Sequence, residues 1–388
     1  MNEENKDKQA INAQSPYDEE SRLRRKRLRK KTTISYIIGL IVAFAGLFLM
    51  MMLAVAAYSR IQTGTEEPED LQETMGGAQM VMGNVYTQEE LDQKIAEAVA
   101  QAQAEIDSAV SIGQDELLEQ IRDQLTDGQS VLEALRPLYP NDVVLVSGGK
   151  YHFVPIQSEI PLHGYLQENL QVLENGRFQY VENGQVVSHM GIDVSKYQGK
   201  INWQKVAADG VEFAFLRLGL RGYESGKLVE DETFAANIKG ALDNGIKVGV
   251  YFFSQAVTEE EAVEEANFVL ERIAPYNIEC PVVFDVEKVG EPTARMNQLT
   301  PQERTNVTIA FLDTIDAAGY KSMFYHNMET ALLLLELDRL KDYDRWFAYY
   351  GEDLYYPYAY GVWQYSEKGR INGISGNVDM NIAFKMWE

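Results

Sequence analysis

The 388-residue sequence predicts an α/β protein whose second half forms a β/α barrel. Two patterns predict it. From Met190 onward, short apolar runs alternate with stretches of helical periodicity, and several of the apolar runs end on acidic residues. Strands alternating with helices favour a parallel sheet, and a closed parallel barrel places its site at the C-terminal ends of its strands.

The strand candidates are 191–194, 213–218, 247–253, 282–286, 322–325, 345–349, 361–365 and 378–382. Helix candidates lie near 203–209, 231–244, 259–274, 301–318 and 328–340. Thr258 reads as the N-cap of the third helix. Thr300, followed by Pro301, starts the fourth, which ends at Gly319.

The preceding segments are of other kinds. Residues 1–31 form a polar tail whose end, 22–31, carries eight Lys/Arg and no acid. Residues 32–59 hold no charged side chain, and Tyr36 and Tyr58 flank their apolar centre. An apolar stretch of ~20 residues is long enough to cross a bilayer as a helix. The basic run before it predicts a cytoplasmic N-terminus, with everything after residue 60 outside the cell. Ala54-Val55-Ala56 also resembles a signal-peptidase site, but the apolar stretch exceeds the ~7–15 residues usual for a cleaved signal. Residues 60–86 read as a flexible tether.

Residues 87–140 read as a helical stalk. Leu91, Ile95, Ala98, Ala102 and Ala109 make a seam, continued by Leu117, Ile121 and Leu125. Thr87 and Glu90 form a candidate capping box, and Gly113 interrupts the run. So much alanine predicts a single helix or helical hairpin with at most weak self-association. Residues 141–189 switch to strand periodicity, with hairpin signals at Asn175-Gly176 and Asn183-Gly184, and read as a small β-rich linker module.

Charge narrows the function. Net charge is −24, and residues 61–388 carry 24 basic against 53 acidic side chains. So acidic a body argues against nucleic-acid binding, which depends on basic groups neutralising phosphates. Cys280 is the lone cysteine, so no intrachain disulfide forms; it reads as a small buried hydrophobe.

The chemistry points to Pro281-Val282-Val283-Phe284-Asp285-Val286-Glu287. Residues two apart in a strand share a face, so Asp285 and Glu287 lie together. Two carboxyls side by side raise each other's pKa, and such a pair keeps one protonated as a general acid, as glycoside hydrolysis requires. The same two residues also fit a helix cap with an ion pair to Lys288. Asp193 and Asp379 fall in the first and last strand candidates. Tyr197, Arg217, Tyr251, Tyr325, Trp346, Tyr349 and Trp363, with Gln198, Gln364 and Asn381, are candidates to stack on sugar faces or bind their hydroxyls and amides. The tyrosine-rich loop 349–360 reads as a carbohydrate-facing surface.

These residues resemble glycoside hydrolase family 25, the lysozymes. Gly191-Ile192-Asp193-Val194-Ser195-Lys196-Tyr197-Gln198-Gly199-Lys200-Ile201-Asn202-Trp203 looks like that family's first motif. Phe213-Ala214-Phe215-Leu216-Arg217 and Val250-Tyr251-Phe252-Phe253-Ser254 resemble its second and third strands. Asp285-Val286-Glu287 resembles its acidic pair. Trp363-Gln364-Tyr365-Ser366, Gly373-Ile374 and Val378-Asp379-Met380-Asn381 resemble its C-terminal signature. The resemblance spans 190–388 and implies an irregular, TIM-like barrel that cleaves the β-1,4 bond between N-acetylmuramic acid and N-acetylglucosamine in peptidoglycan. It implies Glu287 as general acid and Asp285 as stabiliser of the cation formed when the substrate's acetamido oxygen attacks. Asp193 and Asp379 would orient that site, and no metal or cofactor is implied. Two positions depart from the pattern. Phe252 stands where many members have a site-lining His, and Asn202 where many have Asp.

The chain thus reads as a membrane-anchored extracellular muramidase of a Gram-positive cell, with peptidoglycan strands as its partner. A second reading is an inactive wall-binding scaffold of an envelope or conjugation apparatus. A family 18 chitinase is disfavoured, because Val282 and Val283 stand where that family's acidic signature would continue.

Overall fold

The computed structural model describes residues 88–387. The tail 1–31, the apolar span 32–59, the tether 60–86 and the Thr87 cap lie outside the described residues. Among the described residues, no helix is long and apolar enough to cross a membrane. The chain divides into two units, Met1–Ala96 and Glu97–Glu388, and apart from residues 88–96 of the first helix the architecture below belongs to the second.

Helix α1 runs Gln88–Thr126 without a break. Gly113 costs this helix ~1 kcal/mol of propensity but does not interrupt it; the expected break is absent. Ile95, Ile106, Val110, Leu117 and Leu125 stay exposed along it. A short α2 (Val131–Leu135) follows, closed by a Ser130–Glu133 capping box.

Strands β1 (Asp142–Ser147) and β2 (Lys150–Pro155) form an antiparallel hairpin. Strands β3 (Leu170–Val172), β4 (Phe178–Glu182) and β5 (Gln185–Val186) form a second small sheet. Both Asn-Gly pairs turn the chain there: Gly176 is left-handed between β3 and β4, and Asn183 and Gly184 between β4 and β5.

The barrel comprises β6 (His189–Val194), α3 (Trp203–Ala208), β7 (Phe213–Arg221), β8 (Leu228–Glu230), α4 (Phe234–Asp243), β9 (Lys247–Phe253), α5 (Glu259–Ile273), β10 (Val282–Asp285), α6 (Pro301–Ala317), β11 (Ser322–Asn327), β12 (Asp344–Ala348), β13 (Val362–Gly369) and β14 (Val378–Ala383). Pairing runs β6-β7-β9-β10-β11-β12-β13-β14 and returns to β6, so the sheet closes on eight strands; β8 is a hairpin on β7. The pairs from β6 to β13 are parallel, but β14 is antiparallel to both neighbours. That reversal departs from an all-parallel barrel. It brings the start of β14 level with the C-terminal ends of the others, and Asp379 pairs in register with Asp193.

The expected helix at 328–340 also departs. A π turn over Thr330–Leu334 gives way to extended Leu335 and a 3₁₀ turn over Leu337–Leu340. A continuous helix would set Leu335 and Leu337 about 200° apart, given ~3.6 residues per turn. The break lets both bury.

Alternation along each strand sorts the side chains. Phe213, Phe215, Val283, Met323, Trp346, Val362 and Ala383, with Cys280, fill the interior as one buried cluster. Cys280 is therefore inert packing, and burial pushes its thiol up to about 12. Gly191 and Gly249 are required here, because a Cβ on either would enter the Phe213 or Phe215 ring. Outward residues such as Phe252, Phe284 and Trp363 join the larger core beneath the helices.

The tyrosine-rich loop has a structural task that its composition did not suggest. Val144 N–H donates to Tyr355 Oη (2.6 Å), Gln157 N–H to Tyr358 Oη (2.9 Å), and Tyr165 O–H to the Tyr360 carbonyl (2.6 Å). Backbone bonds join His163 to Pro357 and Ala359 to Pro161. Tyr356, Tyr358 and Tyr360 are buried. The loop clasps the preceding β segments to the barrel and is not a carbohydrate-facing surface, with Tyr350 the exception.

Candidate active site

Two residues further along each strand from the apolar interior, the inward positions turn polar. Asp193, Arg217, Tyr251, Asp285, Tyr325 and Gln364 occupy them on β6, β7, β9, β10, β11 and β13, and β14 adds Asn381 and Asp379. The same period-two alternation that places Val283 and Met323 inside makes Asp285 and Tyr325 face the mouth.

Asp193 is the hub. Its Oδ2 accepts from Gln364 Nε2 and from Asn381 Nδ2, each at 2.8 Å. Gln364 Oε1 accepts from Tyr325 O–H (2.8 Å) and Tyr350 O–H (2.9 Å), and Asn381 Oδ1 accepts from Trp346 Nε1–H (2.8 Å). These aromatic donors fix which way both amides face, so each amide nitrogen points at Asp193. The carboxylate is thus oriented from four strands and one loop.

The four carboxyls share one electrostatic field, and all are pushed upward. Burial raises Asp193, against hydrogen bonds from Asn381, Gln364 and Asp379. Burial, then the charge of Asp193 and its hydrogen bond, take Asp379 to about 9. At Asp379 every neighbour works with burial, whereas at Asp193 three donors work against it. Asp379 therefore holds a proton more readily than Asp193, whose Oδ2 accepts two amide N–H groups. Burial, then the charges of Glu287 and Asp193, raise Asp285 well above the carboxylate range, with Arg217 opposing. Burial, then the charge of Asp193, take Glu287 to about 7. Glu287 lies two residues past Asp285, just beyond the end of β10 and partly exposed, so it carries a proton near neutral pH and remains reachable. Asp285 Oδ1 is buried without a hydrogen-bond partner among the described residues. Lys288 does not pair with either acid; its Nζ donates to Glu329 (2.8 Å).

The other candidates divide. Tyr197 is 78% exposed, with the Arg217 guanidinium 5.1 Å from its ring centroid. Arg217 itself pairs with Asp231 (2.7 Å). Tyr251 lies among the acids: burial, then the charge of Asp193, push its phenol far up. Gln198 accepts from Ser195 N–H (2.9 Å) in a capping box, and so holds the turn after β6. Trp346 is 1% exposed, stacked on Phe215 at 4.5 Å; it is the floor beneath the site, not a sugar platform. Trp363 faces outward, edge-on to Phe178 and donating to the Tyr349 carbonyl (2.7 Å), because it alternates with inward Gln364. Tyr349 faces Arg136 and Asp353, away from the acids. Its neighbour Tyr350, read from the sequence only as part of the tyrosine-rich loop, is 53% exposed and reaches Gln364. Phe252 packs on Phe268 in the outer core, so a side chain at that position does not line the site. Asn202 caps α3 by accepting from Lys205 N–H (3.1 Å), as an aspartate would. Among the described residues, no group of three or more His, Cys, Asp or Glu is placed to hold a metal ion.

Comparison with known proteins agrees with this geometry. Residues 192–374 match the family described as Glycosyl hydrolases family 25. The uncharacterized protein YegX of Escherichia coli strain K12 is 30% identical over 208 residues, which cover 50% of this chain and 68% of YegX. The chain belongs to glycosyl hydrolase family 25. The autolytic lysozyme of Clostridium acetobutylicum is 26% identical over 199 residues, 49% of this family 25 chain and 54% of that enzyme. Among solved structures, the modular autolysin LytC from Streptococcus pneumoniae is similar at 24% identity with a TM-score of 0.46. The match covers 62% of this chain and 57% of that one, so this family 25 chain spans little more than half of LytC.

Proposed function

We propose that residues 190–388 hydrolyse the β-1,4 bond between N-acetylmuramic acid and N-acetylglucosamine in peptidoglycan. The observation that carries this reading is Glu287, protonated near pH 7 at the open end of a barrel whose other three acids crowd behind it. Glu287 gives its proton to the glycosidic oxygen as the bond from that oxygen to the anomeric carbon breaks. The substrate's acetamido oxygen bonds to the anomeric carbon from the other side. Asp285 supports that step, because its buried, unpartnered Oδ1 gains a donor in the acetamido N–H and so orients the attacking acetamido group. Water then opens the cyclic intermediate, giving a proton back to Glu287. Asp193 and Asp379 hold the charge pattern, while Tyr350, Tyr251 and Tyr197 offer faces and hydroxyls to the sugars. The autolytic lysozyme among the similar proteins supports the substrate class.

The same proposal places the barrel outside the cell on a single-pass anchor at 32–59, with residues 1–31 in the cytoplasm of a Gram-positive bacterium. The exposed apolar stripe of α1 supports weak self-association. N-terminal sequencing from isolated membranes tests the anchor; a mature start at Ala57 refutes it. Sedimentation of the purified protein tests self-association.

The test of the reaction is Glu287→Gln. The unsubstituted protein should release new reducing ends from peptidoglycan, and the variant should lose at least ~10²–10⁴ of that rate, the usual worth of a positioned acid. Equal release by both refutes the assignment of Glu287. No release by either refutes the hydrolase reading and favours a wall-binding scaffold.

A further inference from the structure

Lys288 directly follows Glu287, and a cation there is a hazard to a general acid. An opposite charge within ~4–6 Å typically lowers a carboxyl's pKa by ~1–3 pH units. That would leave Glu287 ionised near neutrality, unable to give a proton.

The structure turns the cation elsewhere. Lys288 Nζ donates to Glu329 Oε1 at 2.8 Å, and Ser147 Oγ donates to the same oxygen at 2.6 Å. Glu329 lies just after β11, and Ser147 closes β1 in the hairpin ahead of the barrel. Burial works to raise Glu329, but hydrogen bonds from Lys288 and Ser147, with the charges of Lys288 and His152, take it below its ordinary value. Glu329 therefore stays ionised and keeps its grip. Arg304 on α6 also feels its charge. The groups that share Glu287's field include Asp193, Asp285, Asp379 and Tyr325, all acids, while the Arg217 guanidinium at the same mouth pairs with Asp231 and acts on Asp285.

We propose that Glu329 is a positioning residue that draws Lys288 away from Glu287, and that Ser147 fixes Glu329 for that task. This rests on Glu287 being the general acid. It gives the β1–β2 hairpin a part in catalysis that the barrel alone would lack. Exposed ion pairs contribute little to stability, so removing this one should leave the fold intact.

The experiment measures kcat/KM against pH on soluble peptidoglycan fragments for the full chain and for Glu329→Gln, Ser147→Ala, Lys288→Met and Glu329→Gln/Lys288→Met. In Glu329→Gln the freed ammonium stabilises the Glu287 carboxylate, so the alkaline limb should move down by about one pH unit. The rate one unit above the limb then falls about tenfold, with little change on the acid side. Ser147→Ala should move it the same way by less. Lys288→Met should leave the limb in place, and the double variant should restore it. An unmoved limb in Glu329→Gln, or a double variant as shifted as the single one, overturns the proposal. Should the unsubstituted chain prove inactive, the hydrolase reading fails separately. ¹³C NMR titration of the Glu287 carboxyl in the same variants then decides the Lys288 question by the same shift or its absence.

Discussion

A charge buried for catalysis should cost the fold stability, and Glu287 lets the cost be worked out. Its carboxyl moves from 4.5 in the unfolded chain to about 7 in the barrel, raised first by burial and then by the charge of Asp193. The folded protein thus holds this proton more tightly than the unfolded one. Below about pH 4.5 both states are protonated and nothing is lost. As pH rises through 7 the folded state must carry the charge, and stability falls. A shift of that size corresponds to about 3 kcal/mol, less what partial exposure to water returns, so about 2–3 kcal/mol. Glu287→Gln keeps the shape of the protonated acid and removes the titration. The variant should match the unsubstituted protein at pH 4 and exceed it at pH 8 by about 5–10 °C in Tm, taking ~2–4 °C per kcal/mol for a unit of this size. Thermal unfolding followed by circular dichroism at the two pH values provides the assay. A gain equal at both, or a loss at pH 8, would refute the argument that burial and Asp193 hold the proton on Glu287.

Other substitutions test the frame around it. Asn381→Leu removes a donor from Asp193 and strands the buried Trp346 N–H; it should cost about 2–4 kcal/mol in urea unfolding and lower kcat. Tyr355→Phe leaves the Val144 amide without its phenol partner; a loss of about 1–3 kcal/mol and faster proteolysis within 142–186 are expected, with the barrel left intact. Gly191→Ala forces a methyl into the Phe213 ring inside a closed barrel and should cost at least ~1–3 kcal/mol, read as a lower denaturant midpoint. Tyr350→Phe removes one of two donors to Gln364 while Tyr325 remains, so its effect should fall on KM more than on stability.

Much of the barrel was legible because buried parallel strands read as apolar runs. Val282-Val283-Phe284 and Phe213-Ala214-Phe215 are apolar on both faces, as strands covered inside and out must be. The direction of β14 was not legible. Its residues read the same way up or down, and only its pairing with β6 and β13 reveals the reversal that carries Asp379 to the site. The acids Asp193, Asp285 and Asp379 were readable from strand ends and the family pattern. Alternation alone could have rejected Trp363 once Gln364 was placed inward, and Phe252 once Tyr251 was. Tyr349 and Tyr350 follow the strand proper, where alternation lapses, so sequence offered no means of choosing between them. The clasping role of Tyr355, Tyr358 and Tyr360 depends on a distant segment, 144–165, to which no local pattern points.

The central claim is that this acid cluster cuts one particular glycosidic bond. Mass spectrometry of the fragments released from purified peptidoglycan, after borohydride reduction, tests it directly. The account predicts muropeptides whose reduced end is muramitol, absent with Glu287→Gln. Fragments ending in reduced glucosamine, or intact glycan after prolonged incubation, would contradict it.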